Sequence, residues 1–235
     1  MQKNILCPSC TKSNCLVKFC TMEWQEKIGK KKSMSLYPKG QYVIMEGGPV
    51  LGVYFIYHGK LKVVSSNERG KEQIVRLAGD GHMLGHAAIG HETYPIGAVT
   101  MENARICFVD NQTIYDAFME NPHLTYQTMM YYSRELRKSE LRTKYFAQMS
   151  NEEKIIYSLI YLAETYGLSE KEQSLNIALT RQDIADIVGT NAEQVSRTIS
   201  YLKKKGFIET KGRTIRLLNV EKLVGLIANY YTPHR

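Results

Sequence analysis

The stretch LTRQDIADIVGTNAEQVSRTISYLKKKGFIETKGRTIRLL, residues 179–218, constrains the fold more than any other part of the chain. Thr180 is placed to cap a short helix with Asp183 three residues on, a reciprocal pairing that satisfies the free N–H groups at a helix start. Ile184, Ala185, Ile187 and Val188 give this helix an apolar face, and Gly189 ends it. A second helix is expected from about residue 190 to residue 205, with Val195, Ile199 and Leu202 turned inward. Two helices joined by a glycine-containing turn of about three or four residues form a helix-turn-helix.

The outward positions of the second helix carry the chemistry. Glu193, Ser196 and Arg197 share one face of its first turns, the part of such a helix that reaches base edges. Arginine can donate twice to guanine, glutamate can accept from cytosine, and serine can contact a base or a phosphate. A solvated helix face would also carry a Glu and an Arg. The run Lys203, Lys204, Lys205 and the hairpin pattern GFIETKGRTIRLL tilt the reading toward DNA, since a hairpin turning at Lys211 and Gly212 presents Arg213 to a phosphate backbone. With Thr180, Arg181, Gln182, Thr190 and Asn191, these residues form the candidate contact set for double-stranded DNA.

Upstream, the pattern changes twice. Between about residues 35 and 110, short Val-, Ile-, Tyr- and Phe-rich segments are separated by Gly, Asn and Asp turns, which suggests a compact antiparallel barrel or roll. After Asp110 the period lengthens to that of a helix, broken near Pro122 and then uninterrupted by Gly or Pro to about Met149. Met129, Tyr132, Leu136 and Phe146 form an apolar stripe on this long helix, which reads equally as a dimer seam or as a face packed on the roll. Ser150 or Asn151, followed by Glu152 and Glu153, marks the start of a new helix and of a second domain. The expected division is a Cys-rich arm over residues 1–22, a sensor roll over 23–122, a dimerisation helix over 123–149 and a DNA-binding domain over 150–235.

Charge agrees with a polyanionic partner. The net charge is +8, and residues 176–235 hold ten Lys or Arg against five Asp or Glu. The N-terminus does not read as a secretory signal, and no apolar run approaches the roughly 18 residues of a membrane span, so a cytoplasmic protein without membrane association is expected. A reducing compartment disfavours disulfides, which leaves metal, redox chemistry or plain thiols for CPSCTKSNCLVKFC and its four cysteines.

The motif LTRQDIADIVGTNAEQVSR resembles the helix-turn-helix signature of the CRP/FNR family of bacterial transcription regulators, and the resemblance extends over nearly the whole chain. It implies an α+β fold: an N-terminal antiparallel β-roll of jelly-roll type, a long dimerisation helix, and a C-terminal winged helix-turn-helix domain. It also implies a homodimer on inverted-repeat operators, acting with RNA polymerase. Glu193-x-x-Ser196-Arg197 looks FNR-like, because Ala192 stands where the cyclic-AMP receptor type carries an Arg.

In the family's cyclic-nucleotide cassette, a Glu and an Arg-Ser pair hold ribose and phosphate. Here His86 stands at the Glu position and Ile96-Gly97-Ala98 replace the pair, so Gly85, His86, Ala87, Ile96, Gly97 and Ala98 form a candidate effector pocket with no cation for a cyclic phosphate. Cyclic AMP in the usual mode is not expected. His82, His86 and His91 read as polar loop histidines, with no acidic or cysteine partner adjacent.

FNR-like sensors hold an iron–sulfur cluster on an N-terminal C-x2-C-x5-C group plus one distant cysteine. The resemblance implies Cys7, Cys10, Cys15 and Cys107 as the matching set, with Cys20 as a possible substitute and a spacing one residue short. Unligated thiols remain the other reading. A metal- or small-ligand-binding roll, or an enzyme whose helices serve only oligomerisation, is the alternative function; Asp80, His86, Glu92 and Cys107 show no spacing that implies a catalytic set.

Overall fold

The computed structural model describes residues 5–67, 70–169 and 173–231. It begins with a loop and a 3-10 turn, Leu16–Phe19, that lead into α1 (Met22–Lys31), whose first turn Thr21 caps by accepting from the Trp24 N–H. The roll follows as β1 (Ser33–Tyr37), β2 (Tyr42–Ile44), β3 (Gly52–His58), β4 (Leu61–Ser66), β5 (Glu72–Ala78), β6 (Met83–Leu84), β7 (Gly97–Thr100) and β8 (Ala104–Asp110). Two four-stranded sheets result, with strand orders β1-β8-β3-β6 and β2-β7-β4-β5. In the first, β8 is central and antiparallel to both neighbours, placing Cys107 opposite Met34 on β1 and Phe55 on β3.

α2 (Asn111–Glu120) and α3 (Pro122–Gln148) come next, divided as the proline requires. The chain separates into two compact units, and the division falls inside α3, between Arg137 and Lys138; Glu72–Ile74 group with the second unit. That unit contains α4 (Asn151–Tyr166), α5 (Arg181–Val188), α6 (Ala192–Lys204), the hairpin β9 (Ile208–Lys211) and β10 (Thr214–Leu217), and α7 (Val220–Leu226). Residues 232–235 of the expected DNA-binding domain lie outside the described residues.

Residues 1–4 of the expected Cys-rich arm lie outside the described residues; residues from Cys7 on pack into the roll. Cys7, Leu16, Val17, Cys20, Trp24 and Ile28 are buried in one core with Val53, Phe55, Met83 and Val109 of the roll and Ile114, Ala117 and Leu124 of the helices. Burying each large aliphatic or aromatic side chain of this set contributes about 1.5–3 kcal/mol. Polar contacts fix the same docking: Trp24 Nε1 donates to Glu120 at 3.0 Å, and the Thr21 N–H donates to Asn121 Oδ1 at 3.0 Å. The Cys-rich stretch from Cys7 on therefore packs against the roll.

Candidate DNA interface and cysteine cavity

In the second unit, α5 and α6 form the expected helix-turn-helix. Thr180 and Asp183 make the reciprocal cap, with the Thr180 N–H donating to Asp183 Oδ2 at 2.9 Å, and Gly189 ends α5 in the left-handed region at φ 78°. Asn191 caps α6 by accepting from the Gln194 N–H at 2.9 Å. Val195, Thr198, Ile199 and Leu202 are buried on one face of α6; Glu193, Ser196, Arg197 and Lys203 are exposed on the other.

The ten expected DNA-contacting residues thus divide by role. Thr180 and Asn191 cap their helices, and Gln182 donates to Asp186 at 2.7 Å, so these three also help hold the shape of the motif. Arg197 is held loosely, with Nη2 donating to Gln194 Oε1 at 2.9 Å and Nη1 lying 3.7 Å from Glu193. Arg181, where burial pulls the guanidinium pKa down, and Thr190 are half-buried. Arg213 is exposed at the turn of the β9–β10 wing, whose strands are tied by Arg216 donating to Glu209 at 3.1 Å.

Two cavities are lined by described residues of the first unit. Cys7, Cys10, Cys15 and Cys107, three from the N-terminal loop and one from β8, line a single cavity together with Lys18, Lys32, Ile28 and Phe55. Cys20 is buried in the adjacent apolar core and does not line it. Burial pushes the Cys7 thiol up to about 11, with Lys32 opposing; it pushes Cys15 and Cys20 up to about 12, and raises Cys107 against a hydrogen bond from Lys32. Lys18 Nζ donates to the carbonyls of Cys7 at 2.7 Å and Pro8 at 3.1 Å, so it braces the loop.

Close approach of the loop to α1 depends on Gly29. A Cβ at this position would stand 2.9 Å from the Cys7 backbone nitrogen, nearer than real Cβ atoms come. Among the described residues, no three Cys, His, Asp or Glu side chains are grouped to ligate one ion; the four thiols are arrayed around a space. A four-iron cluster takes one thiolate at each of four corners, so the donor set fits such a group.

The second cavity is lined by all six expected effector-pocket residues, Gly85, His86, Ala87, Ile96, Gly97 and Ala98. The expectation that no cation faces this pocket is corrected: Arg76 on β5 lines it. Arg76 is already engaged, donating to Tyr131 at 2.8 Å, Glu135 at 3.1 Å and the Met83 carbonyl at 2.9 Å. His86 is buried between the rings of Tyr131 and Tyr132 with Nδ1 unpartnered, and burial, with the Arg76 cation acting the same way, brings its pKa down to about 4.

The expected stripe on α3 is not one uniform face. Tyr132 donates to the His86 carbonyl at 2.6 Å, and Phe146 packs edge-on against Tyr157 in the second unit, while Met129 and Leu136 are 58% and 61% exposed.

A capped helix-turn-helix with a wing, on a chain that also carries a β-roll, is the architecture of a DNA-binding regulator. Residues 35–121 match the cyclic nucleotide-binding domain model, and residues 153–226 match the Crp-like helix-turn-helix domain model. The chain is 27% identical over 230 residues to the fumarate and nitrate reduction regulatory protein of Escherichia coli (strain K12), covering 94% of this chain and 90% of that protein. It is 26% identical over 191 residues to the transcriptional activator protein anr of Pseudomonas aeruginosa, covering 80% and 78%. The structure of FixK2 from Bradyrhizobium japonicum superposes with a TM-score of 0.74 over 87% of this chain and 99% of that one; at 21% identity this likeness speaks for the fold.

The chain belongs to the CRP/FNR family and is a DNA-binding transcription regulator, not an enzyme. Among the described residues no helix is long and apolar enough to cross a membrane.

Proposed function

We propose that this regulator works in the cytoplasm as a homodimer on inverted-repeat operators, contacts RNA polymerase there, and holds an iron–sulfur cluster on Cys7, Cys10, Cys15 and Cys107. One observation carries the sensor reading: thiols about a hundred residues apart in sequence line the same cavity, with Cys20 outside it. A cluster bound there would supply a centre whose charge and integrity respond to redox conditions. The protein's own part is division of labour. Cys107 sits on the rigid central strand of a sheet, whereas Cys7, Cys10 and Cys15 sit on a loop braced by Lys18. Lys32 and Lys18 bring positive charge to a site whose thiolates would otherwise repel one another.

At the DNA end, α5 and the caps present the exposed Glu193, Ser196 and Arg197 of α6 to base edges, with Arg197 giving up its bond to Gln194 and Ser196 its bond to the Ala192 carbonyl, while Lys203 and Arg213 meet phosphates. Two-fold symmetry would set two such helices about 34 Å apart, one turn of DNA. The exposed Met129 and Leu136 of α3 supply apolar surface for that pairing. Cyclic-nucleotide control is not part of the proposal, because Arg76 is already held by Glu135 and Tyr131.

The test is anaerobic reconstitution of the full chain, followed by iron and sulfide analysis and a visible spectrum. Alanine at Cys7, Cys10, Cys15 or Cys107 abolishes cluster uptake, and Cys20→Ala retains it. A colourless, iron-free wild-type protein refutes the cluster reading.

A further inference from the structure

Between Cys10 and Cys15 lie four residues, Thr11-Lys12-Ser13-Asn14, and two of them are tied to one place on the roll. That place is the turn between β5 and β6, at Asp80. Its Oδ2 accepts from Lys12 Nζ at 2.5 Å and faces His58 Nδ1 at 3.3 Å; its Oδ1 accepts from the Gly59 N–H at 2.8 Å. Its backbone carbonyl accepts from Asn14 Nδ2 at 2.7 Å. The neighbouring residue is Gly81, at φ 80°, where any side chain would overlap the Asn14 amide. A single carboxylate therefore joins the β3–β4 turn, through Gly59, to the loop that carries two of the cavity's thiols. Burial opposes ionisation of Asp80, but the Lys12 ammonium and the Gly59 N–H outweigh it and hold the carboxyl below its ordinary range.

We propose that Asp80 is a positioning residue of the cysteine cavity, pinning the loop of residues 11–14 through Lys12 and Asn14 so that Cys10 and Cys15 stay within reach of Cys107. This rests on the reading that the cavity holds an iron–sulfur cluster, but the pin itself is a property of the chain. The Lys12–Asp80 pair is partly exposed, with side chains 25% and 39% accessible, so it lies at the surface rather than in the core of the roll. Its effect falls on the loop. Without the pin, Cys10 and Cys15 spend more time away from the cavity, where solvent and chelators reach them.

The test uses the full chain with three changes, Lys12→Met, Asp80→Asn and both together. In the metal-free protein, the rate at which a thiol-specific alkylating reagent modifies Cys10 and Cys15, read by peptide mass analysis, should rise roughly fivefold in each single variant. Cys20, buried away from the loop, is the internal reference. In the anaerobically loaded protein, loss of the visible iron–sulfur absorption under excess chelator should accelerate by a similar factor. The double variant should match the singles, because both changes open one contact.

A merely structural role would instead raise the labelling of Cys20 along with that of Cys10 and Cys15. Unchanged labelling of Cys10 and Cys15, independent effects that multiply in the double variant, or Cys20 labelling that rises in step each overturn the pin. If the wild-type chain takes up no iron, the cluster reading falls, and the labelling arm still decides on Asp80.

Discussion

Replacing Arg197 with alanine tests the recognition helix most sharply. Arg197 lies on the exposed face of α6, with 65% of its side chain accessible, and its internal attachments are a hydrogen bond to Gln194 and a 3.7 Å approach to Glu193, itself 76% exposed. Contacts this exposed are worth less than about 1 kcal/mol, so giving them up costs little when the guanidinium turns to a base. A bidentate pair with guanine discriminates by about 1–3 kcal/mol. In a dimer the contact occurs twice, so Arg197→Ala should lower the preference for operator over scrambled DNA by roughly 30-fold to 10⁴-fold. The assay is competitive fluorescence anisotropy with both duplexes at several salt concentrations. Lys203→Ala is the contrast: it should weaken both duplexes alike and make the salt dependence shallower by about one unit per protomer. If Arg197→Ala leaves the operator-to-scrambled ratio intact, α6 is not the reading element.

Three further outcomes follow from the first unit. The buried His86 imidazole, at about 4 against its ordinary 6.5, refuses a proton that the unfolded chain accepts, so roll stability is full above pH 6.5 and falls as pH drops toward 4. The loss approaches about 3 kcal/mol and should flatten in His86→Phe; urea unfolding followed through Trp24, the chain's one tryptophan, measures it, and identical pH slopes would refute it. Glu135→Leu removes the carboxylate that balances the buried Arg76 guanidinium, leaving it only its bonds to Tyr131 and the Met83 carbonyl, and should cost about 2–4 kcal/mol by the same assay, with Arg76→Met in addition recovering much of the loss. Gly29→Ala should improve the helical propensity of α1 by up to about 1 kcal/mol yet reduce iron uptake, because the new methyl displaces Cys7; unchanged uptake would contradict the close approach.

What could be read from the sequence alone was what is local. The caps at Thr180 and Asn191 and the stop at Gly189 are chemistry between near neighbours, so the helix-turn-helix was legible to within a residue or two. α1 was missed because MEWQEKIGKK offers only Trp24 and Ile28 as anchors, although Thr21 ahead of it was a usable cap signal. Arg76 escaped notice because a cation on a strand, ten residues ahead of His86, enters the pocket only through sheet geometry. The stripe on α3 matched a helical period, but periodicity does not report that Tyr132 is taken up by the His86 carbonyl. The family resemblance pointed to Cys107 beside the N-terminal cysteines; that they line one cavity depends on strand register and on α1 docking, which no local pattern encodes.

If the proposed cluster acts as a signal, its presence in the cysteine cavity should change how well α6 holds DNA. The most direct measurement is the operator dissociation constant of one anaerobically loaded sample before and after the iron is stripped, at fixed salt. Coupling of ordinary size predicts a change of about 5- to 150-fold. Equal affinities for the loaded and stripped protein, with iron confirmed in the first, would contradict the account.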